Sequence, residues 1–489
     1  MNMKAHYPPF NPPSNFMSYT VGGPRIHYGY KSAANGARKI SAYVNVQQNA
    51  HQTKIPQELV ANIFDILRLC SDRATLKSCA LSCKEWAPLA QAQLFYEVTV
   101  DTESQLHKLA SLVKNKDSPL AQHIRTLRIK PYRQSTAMLG LQQMQDWIYE
   151  VPDNLAPSLY NLRTLHLVQV DFTLFRMTER SGPANELKWF PCIKQLKLTS
   201  CKFACAQDFQ NLAVAYLQNE LVSLFIDMVS WEPWRRDRLL LGNMPHSGQD
   251  LPVSNLKNLQ IGRFCDFSAV CTWLIATRSF MNLTELELYE VGPGDLQSAG
   301  SLLFQLGPIL QHLTLGCKFA RKPQIQNSEL LLVFLTAYPC LRHRAAGLGS
   351  YLRLSSNTKL QTLRIRMYEL VDDLTAWIPW IFSDISDPGG PQLREITFDI
   401  WLYHSRQLRT ANWNEIEHIL NRDSFSTLEL VTFIQRGHVE VEESIDYQHA
   451  KLALRRRFPS LHQRCILSVV DGKEHVGTHA QSDARDSKN

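Results

Sequence analysis

Residues able to ligate a metal or attack a substrate are present in this 489-residue chain, but their spacing assembles no reactive set. Cys79 and Cys83 stand one helical turn apart, and so do Cys201 and Cys205. Neither pair has a histidine pair close by in sequence, and zinc-finger spacing is absent. Cys79 and Cys83 also fall on the apolar face of a short helical stretch, which places them in a core. His475 and His479 repeat the spacing in a polar C-terminal stretch, where no second shell would orient them. The chain has no Walker A loop, no HExxH and no GxSxG. Gly347-Leu348-Gly349-Ser350 is a lone GxGS and reads as a loop. Asp372 and Asp373 are adjacent near an expected helix start, where negative charge is favoured without any catalytic role. No catalytic residue, metal, cofactor or small-molecule substrate is expected. An enzyme using an unrecognised constellation remains only a third reading.

What the chain does offer is a row of side chains suited to binding another protein. The pattern L-x-x-L-x-L recurs, and in an extended strand its last two apolar residues point inward while the residue between them points outward. Those outward residues are Arg128, His166, Lys197, Phe225, Gln260, Glu287, Thr314, Arg364 and Thr397. Two positions further on stand Lys130, Val168, Thr199, Asp227, Gly262, Tyr289, Gly316, Arg366 and Asp399. The set has a mild basic bias toward both ends. A partner is expected on this face, with Arg128, His166, Lys197, Phe225, Glu287 and Arg364 as its contacts; the competing expectation is a solvated face with binding on loops. The stretch Trp231 to Arg238 (WEPWRRDR) mixes Trp with Arg as interface anchors do, or it packs back as an ordinary loop. Arg455, Arg456 and Arg457 read as a solvated helix face or a short nuclear-import patch.

The elements that would position this row are repeated. Nine copies begin at Ile124, Leu162, Ile193, Leu221, Leu256, Leu283, Leu310, Leu360 and Leu393. A weaker tenth lies at Phe425-Leu428-Leu430 or, one register along, at Leu428-Val431-Phe433. Starts are 27 to 38 residues apart except for one gap of 50, which suggests a degenerate copy near Leu341. Helix-like stretches intervene at Asp208–Asn219, Ser268–Arg278, Asp295–Leu306, Ser328–Tyr338 and Asn414–Leu420, several opening on Ser or Asp as N-caps. Strand then helix, repeated, predicts an α/β solenoid whose units bury their leucines only by stacking. A regular unit would place Asn or Cys three residues after its last Leu. Only Cys201 does so; Val170, Val229, Phe264 and Val291 hold the position elsewhere, and Cys317 falls one residue early. Irregular curvature is therefore expected.

Ahead of the repeats, IPQELVANIFDILRLC opens with Pro56 at a first helical turn, where a missing N–H costs nothing. At 100° per residue, Leu59, Val60, Ile63, Phe64, Ile66 and Leu67 cover an arc of about 160°, wider than one small core uses. Leu76, Cys79, Ala80 and Cys83 share the face of a second helix, and Trp86, Leu89, Ala90 and Leu94 that of a third. Three short helices with surplus apolar surface must bury the excess on a partner or on the next domain.

Ile55-Pro56, Leu59, Ile63, Leu67, Leu76, Cys79, Leu81-Ser82-Cys83, Trp86 and Leu94-Phe95 fall in the order and spacing of the F-box, in the form common to large fungal families. The segment resembles that module over about 42 residues, with Ile55 in place of the commoner Leu. The family pairs it with leucine-rich repeats. The resemblance implies binding of the Skp-family adaptor of a cullin–RING ubiquitin ligase, on a cullin scaffold, with the array presenting a protein substrate. Pro56 and Leu59 would contact the adaptor, with Ile63, Leu76 and Trp86 as contact or support. The alternative is a protein-interaction scaffold whose three helices only cap the array.

The charge balance fits such a body. Residues 1–57 hold no Asp or Glu and six of the 52 Lys and Arg, which leaves 46 basic against 45 acidic residues. A near-neutral body is not built to wrap nucleic acid. The longest apolar stretch, Leu330 to Tyr338, is too short to span a membrane, and the proline-rich start lacks the apolar run of a secretory signal. Eleven cysteines without paired CxxC spacing fit reduced thiols in a cytoplasmic or nuclear protein. Asn282-Leu283-Thr284 is a sequon expected to be coincidental. The expected organisation is thus a disordered arm at 1–53, an F-box at 54–97, the α/β leucine-rich-repeat-like solenoid at 98–465 and a polar tail at 466–489.

Overall fold

The structure is a computed structural model that describes residues 55–115, 120–131, 146–173, 190–218, 220–231, 254–292, 294–317, 351–367, 377–386, 389–401, 408, 412–436 and 447–472. Apart from Ile55, these belong to one compact unit beginning at Pro56. Three helices come first: α1 (Gln57–Leu69), α2 (Arg73–Ser82) and α3 (Ala87–Leu94). Among the described residues fourteen strands follow: β1 (Glu97–Val100), β2 (Thr126–Ile129), β3 (Thr164–Val168), β4 (Gln195–Thr199), β5 (Lys202–Phe203), β6 (Ser223–Asp227), β7 (Ser230–Trp231), β8 (Asn258–Ile261), β9 (Glu285–Val291), β10 (His312–Cys317), β11 (Thr362–Met367), β12 (Glu395–Trp401), β13 (Leu430–Arg436) and β14 (Leu467–Asp471). Twelve of them form one parallel sheet in sequence order, and β5 pairs β7 in a separate ribbon. The architecture is mixed α/β.

Period-two alternation sets which way each strand faces. Leu165 and Leu167, Leu196 and Leu198, Leu363 and Ile365, and Ile396 and Phe398 are all buried. They meet helices such as Glu103–Lys114, Ala206–Leu217, Phe267–Thr277, Leu296–Leu306, Trp377–Ile385 and Trp413–Leu420 in one continuous core. Parallel neighbours require such crossovers. Thr102 and Asp266 cap two of these helices, accepting from the N–H of Gln105 and Ala269. A recurrent corner ends several strands: Gln169, Ser200 and Met228, directly after β3, β4 and β6, are left-handed at φ 58°, 56° and 52°. Each donates its N–H to a carbonyl of the next layer, Thr199, Asp227 and Arg263 respectively. Among the described residues no helix is long and apolar enough to cross a membrane.

Several expectations change. In the sheet β10 pairs β11 directly; residues 318–350, including the degenerate copy expected near Leu341 and the helix expected at Ser328–Tyr338, lie outside the described residues. The tenth copy takes the later register: Val431 and Phe433 are buried while Leu430 is 37% exposed. The boundary at 465 falls too early, since β14 is the last strand of the sheet and Val469 packs into the core. Its short alternation was diluted by the polar residues that follow. β1, which precedes the first repeat, is the other strand of the large sheet that the pattern missed, and the short ribbon of β5 and β7 was missed as well. The cysteine ladder is also longer than expected. Cys201 donates its thiol to the Leu167 carbonyl at 3.4 Å, and Cys265, one residue beyond Phe264, reaches the equivalent Ile226 carbonyl at 3.8 Å. Burial pushes the thiols of Cys201 and Cys265 up to about 12, so both stay protonated donors. The N-terminal 1–53 segment lies outside the described residues.

Candidate functional site

Two surfaces carry the candidate residues. The first is on the three helices, which have a small core of their own in Val60, Phe64, Leu76 and Ala90. Trp86 sets its ring edge-on to Phe64 at 6.1 Å and 81°. Arg68 lies over the Tyr96 ring at 4.2 Å, tying α1 to the chain entering β1. The wide apolar arc of α1 therefore divides: Val60, Phe64 and Leu67 turn inward, while Leu59, Ile63 and Ile66, at i, i+4 and i+7, turn outward with about half their surface exposed. Ile55 at the helix entry is similarly exposed, Leu81 on α2 is 88% exposed, and Pro56 stands exposed at the N-cap. Aliphatic surface left in water in such a stripe gains about 1 kcal/mol per side chain when a partner covers its open half.

The sequence expectation gave Leu76 and Trp86 as partner contact or support, and the structure places them on the support side. Leu76 is 1% exposed, so it belongs to the helix core and cannot touch a partner without unfolding; Trp86 is half-buried in the same core. Ile66 and Leu81 were not singled out as contacts, although the arc on α1 contained the signal for Ile66. Cys79 packs against this core, as its position predicted. Among the described residues no group of His, Cys, Asp or Glu could hold a metal. Gly347 to Ser350, Asp372, Asp373, His475 and His479 lie outside them.

The second surface is the sheet face turned away from the helices. Register places Thr99, Arg128, His166, Lys197, Phe225, Gln260, Glu287, Thr314, Arg364, Thr397, Thr432 and Ser468 in a single row across all twelve strands. All six predicted contacts are in it, each half-buried. At about 4.8 Å per strand they do not form one pocket. Arg128, His166, Lys197 and Phe225 occupy four adjacent strands; Glu287 and Arg364 flank Thr314 farther along. His166 Nε2 and the Thr199 hydroxyl are 3.0 Å apart. Burial first, then the charges of Arg128 and Lys197, push the imidazole pKa down to about 4, so His166 is neutral at pH 7. The positive charge at this end comes from Arg128, Lys130 and Lys197.

At the other end the charges converge. Asp399 on β12 is 1% exposed and pairs with Arg364 at 2.7 Å, Arg366 at 3.5 Å and Arg436 at 2.5 Å. Burial alone would raise its pKa, but the Arg436 hydrogen bond and the charges of Arg364, Arg436 and Arg366 outweigh it and hold the carboxyl below the ordinary value. Arg366 also lies on the Tyr289 ring, 4.1 Å from its centroid, and the Tyr289 hydroxyl donates to Glu287. Gly316 pairs Arg366 in register and has no side chain to part the two. Arg436 was missed because the weak last copy left its register open; the alternation Thr432, Ile434, Arg436 was the available signal.

Trp231, the one described member of WEPWRRDR, is 8% exposed and lies against Phe209 at 5.9 Å, so it is core. Arg455, Arg456 and Arg457 form the last turn of helix Tyr447–Arg457. Asn282 of the sequon donates its side-chain N–H to the Ser254 carbonyl at 2.7 Å. No family model matches the chain, and no curated protein matches it.

Proposed function

We propose that the protein is the substrate-recognition subunit of a Skp–cullin–F-box type ubiquitin ligase, with α1–α3 as the F-box and the parallel sheet with its helices as a leucine-rich-repeat solenoid. The observation that carries this is the exposed apolar stripe of Leu59, Ile63 and Ile66, opposite a separate three-helix core. A helix module that only capped the array would turn its surplus apolar face toward the first strand and share its core. Here the surplus faces solvent, as a surface awaiting an adaptor does. The half-buried polar row then serves as the face that holds a protein substrate.

The mechanism is positioning. A target held at a fixed distance from the ubiquitin-charged enzyme presents its lysines at a high effective concentration, so this subunit itself needs no reacting group. The test is a pulldown of the Skp-family adaptor with wild type and with a Pro56→Ala/Leu59→Asp variant. Both positions are exposed, so the variant's stability should stay within about 0.5 kcal/mol of the wild type. Wild type is expected to capture the adaptor and the variant to lose it. Equal capture by both, or none by wild type, refutes the reading and leaves a plain interaction scaffold.

A further inference from the structure

We infer that Arg128, His166, Lys197 and Phe225 bind an acidic segment of the target, with an Asp or Glu side chain over His166 and an apolar side chain three residues away over Phe225; this rests on reading their sheet face as the surface that holds the target. The four residues are neighbours in one row across β2, β3, β4 and β6. Arg128 and Lys197 therefore stand on either side of His166, each one strand spacing of about 4.8 Å away. β2, β3 and β4 contain no Asp or Glu. Among the described residues neither Arg128 nor Lys197 makes an ion pair. The carboxylates of the flanking strands stay at the margins. Glu97 sits on β1, diagonal to Arg128, without pairing with it. Asp101 follows β1 beside Lys130 and offsets that lysine, which is left out of the site. Asp227 on β6 leans away from Lys197, across Gly262, and accepts the Arg263 N–H at 2.8 Å.

His166 is the neutral centre between two cations. Their charges add to burial in keeping a second proton off its ring, so this point of the face repels positive charge and attracts negative charge. Its Nε2 meets the Thr199 hydroxyl at 3.0 Å. With that hydroxyl donating, the neutral ring carries its proton on Nδ1 and offers it to a carboxylate. A carboxylate over the ring then accepts from His166, Arg128 and Lys197 together, and bonds between ionised groups are roughly twice as strong as neutral ones. Arg128 Nε is buried without an acceptor, so the guanidinium engages through its two terminal nitrogens. Phe225 supplies the second contact. It is the one large apolar residue of the row, half-buried, on the strand beyond Lys197. A purely solvated face has no use for a phenyl ring there, whereas aromatic side chains are common anchors in protein interfaces. From His166 to Phe225 is two strands, about 10 Å, and three residues of extended chain span about the same length. The target segment is therefore an Asp or Glu followed, or preceded, at the third position by an apolar residue.

The probe is a capped peptide, Ser-Glu-Ser-Gly-Phe-Ser, carrying para-fluorophenylalanine at its Phe. Full-length protein is added at constant ionic strength, and the fluorine NMR linewidth is followed. Saturable broadening is expected. A peptide with Gln in place of Glu should bind about tenfold more weakly, and one with Glu moved beside Phe should also lose affinity. Lys197→Gln should weaken the Glu peptide about tenfold and leave the Gln peptide unchanged, a selectivity that a merely structural lysine would not produce. Arg128→Gln should do the same; because Arg128 Nε is buried, Lys197→Gln carries the test if Arg128→Gln fails to fold by circular dichroism. Phe225→Ala should weaken both peptides by a similar factor. No saturable broadening with wild type, or equal binding of the Glu peptide by wild type and the two charge variants, overturns the site. Equal binding of the Glu and Gln peptides overturns the acidic assignment, and indifference to the Glu–Phe spacing overturns the register. Displacement of the peptide by oligodeoxythymidine at a matched concentration of negative charge overturns the assignment to a peptide. The adaptor pulldown is independent: peptide binding with no adaptor capture keeps this site and removes the ligase reading, and the reverse result does the opposite.

Discussion

Asp399 takes ion pairs from arginines on both neighbouring strands, and its carboxyl is held below the ordinary carboxylate value. A group whose pKa is lower folded than unfolded contributes stability that is full above the unfolded pKa and is lost as pH falls through the folded one. Asp399→Asn is therefore expected to cost about 3–5 kcal/mol at pH 7, as removal of one partner from a buried pair does. The difference from wild type should shrink as pH falls below about 4, because the carboxyl of the unfolded chain then binds a proton before the folded one does. Melting temperatures of both proteins between pH 7 and pH 3 measure this, and a difference that does not change with pH would show that the ion pairs add nothing. At this scale the direction of side chains was legible and their burial was not. The x of L-x-L placed Arg364 outward correctly, and the same alternation placed Asp399. Nothing in one strand's sequence says that three arginines from neighbouring strands will cover it. Leu76 was left open between contact and support for the same reason in reverse, because an apolar residue on a helix face looks alike whether the face meets a core or a partner.

Among the elements, α1 shows what a hydrophobic arc can and cannot reveal. Its excess width announced a second apolar contact, and the structure divides it into Val60 and Phe64 on one side and Leu59, Ile63 and Ile66 on the other. The helices that were expected within the described residues were placed to within two residues because their apolar spacing is long, as in Ala206–Leu217, expected at 208–219, and Leu296–Leu306, expected at 295–306; Glu103–Lys114 and Trp377–Ile385 were not expected. Short strands were less so, since the four residues of β1 and the five of β14 hold too few alternations to stand out. Helix Leu296–Leu306 also contains Gly300, where propensity and packing disagree. An exposed Gly→Ala change inside a helix stabilises by about 1 kcal/mol. Here a Cβ would run into the backbone carbonyl oxygen of Tyr351 from the segment packed against the helix. Backbone cannot step aside as a flexible side chain does, so Gly300→Ala is expected to destabilise by about 1–3 kcal/mol instead. Urea unfolding decides the sign, and a stabilised variant would mean that the segment moves freely off the helix.

At the level of the whole molecule, stability is divided unequally between two cores. The sheet and its helices share one continuous core from Val100 to Val469, whereas α1–α3 close on four buried side chains with partly buried neighbours. A core that small is marginal by itself, and part of the apolar surface that would stabilise it is spent on the outward stripe instead. Among the described residues the two are joined by Arg68 over the Tyr96 ring and by the packing of α3 on the short helix Leu120–His123. The helices should therefore open without the sheet opening. In native-state hydrogen exchange of the full chain, the amides of α1–α3 are expected to exchange several kcal/mol more easily than those of β3 to β12. Adding the Skp-family adaptor should raise the protection of α1–α3 alone, by RT ln(1 + [L]/Kd), about 2.7 kcal/mol at a hundredfold excess over Kd. Exchange of both regions at one common free energy would mean that the two cores unfold as a unit, and the module would then be part of the array, as a cap is. Low protection that rises only with the adaptor is the behaviour of a docking module whose core is completed by its partner.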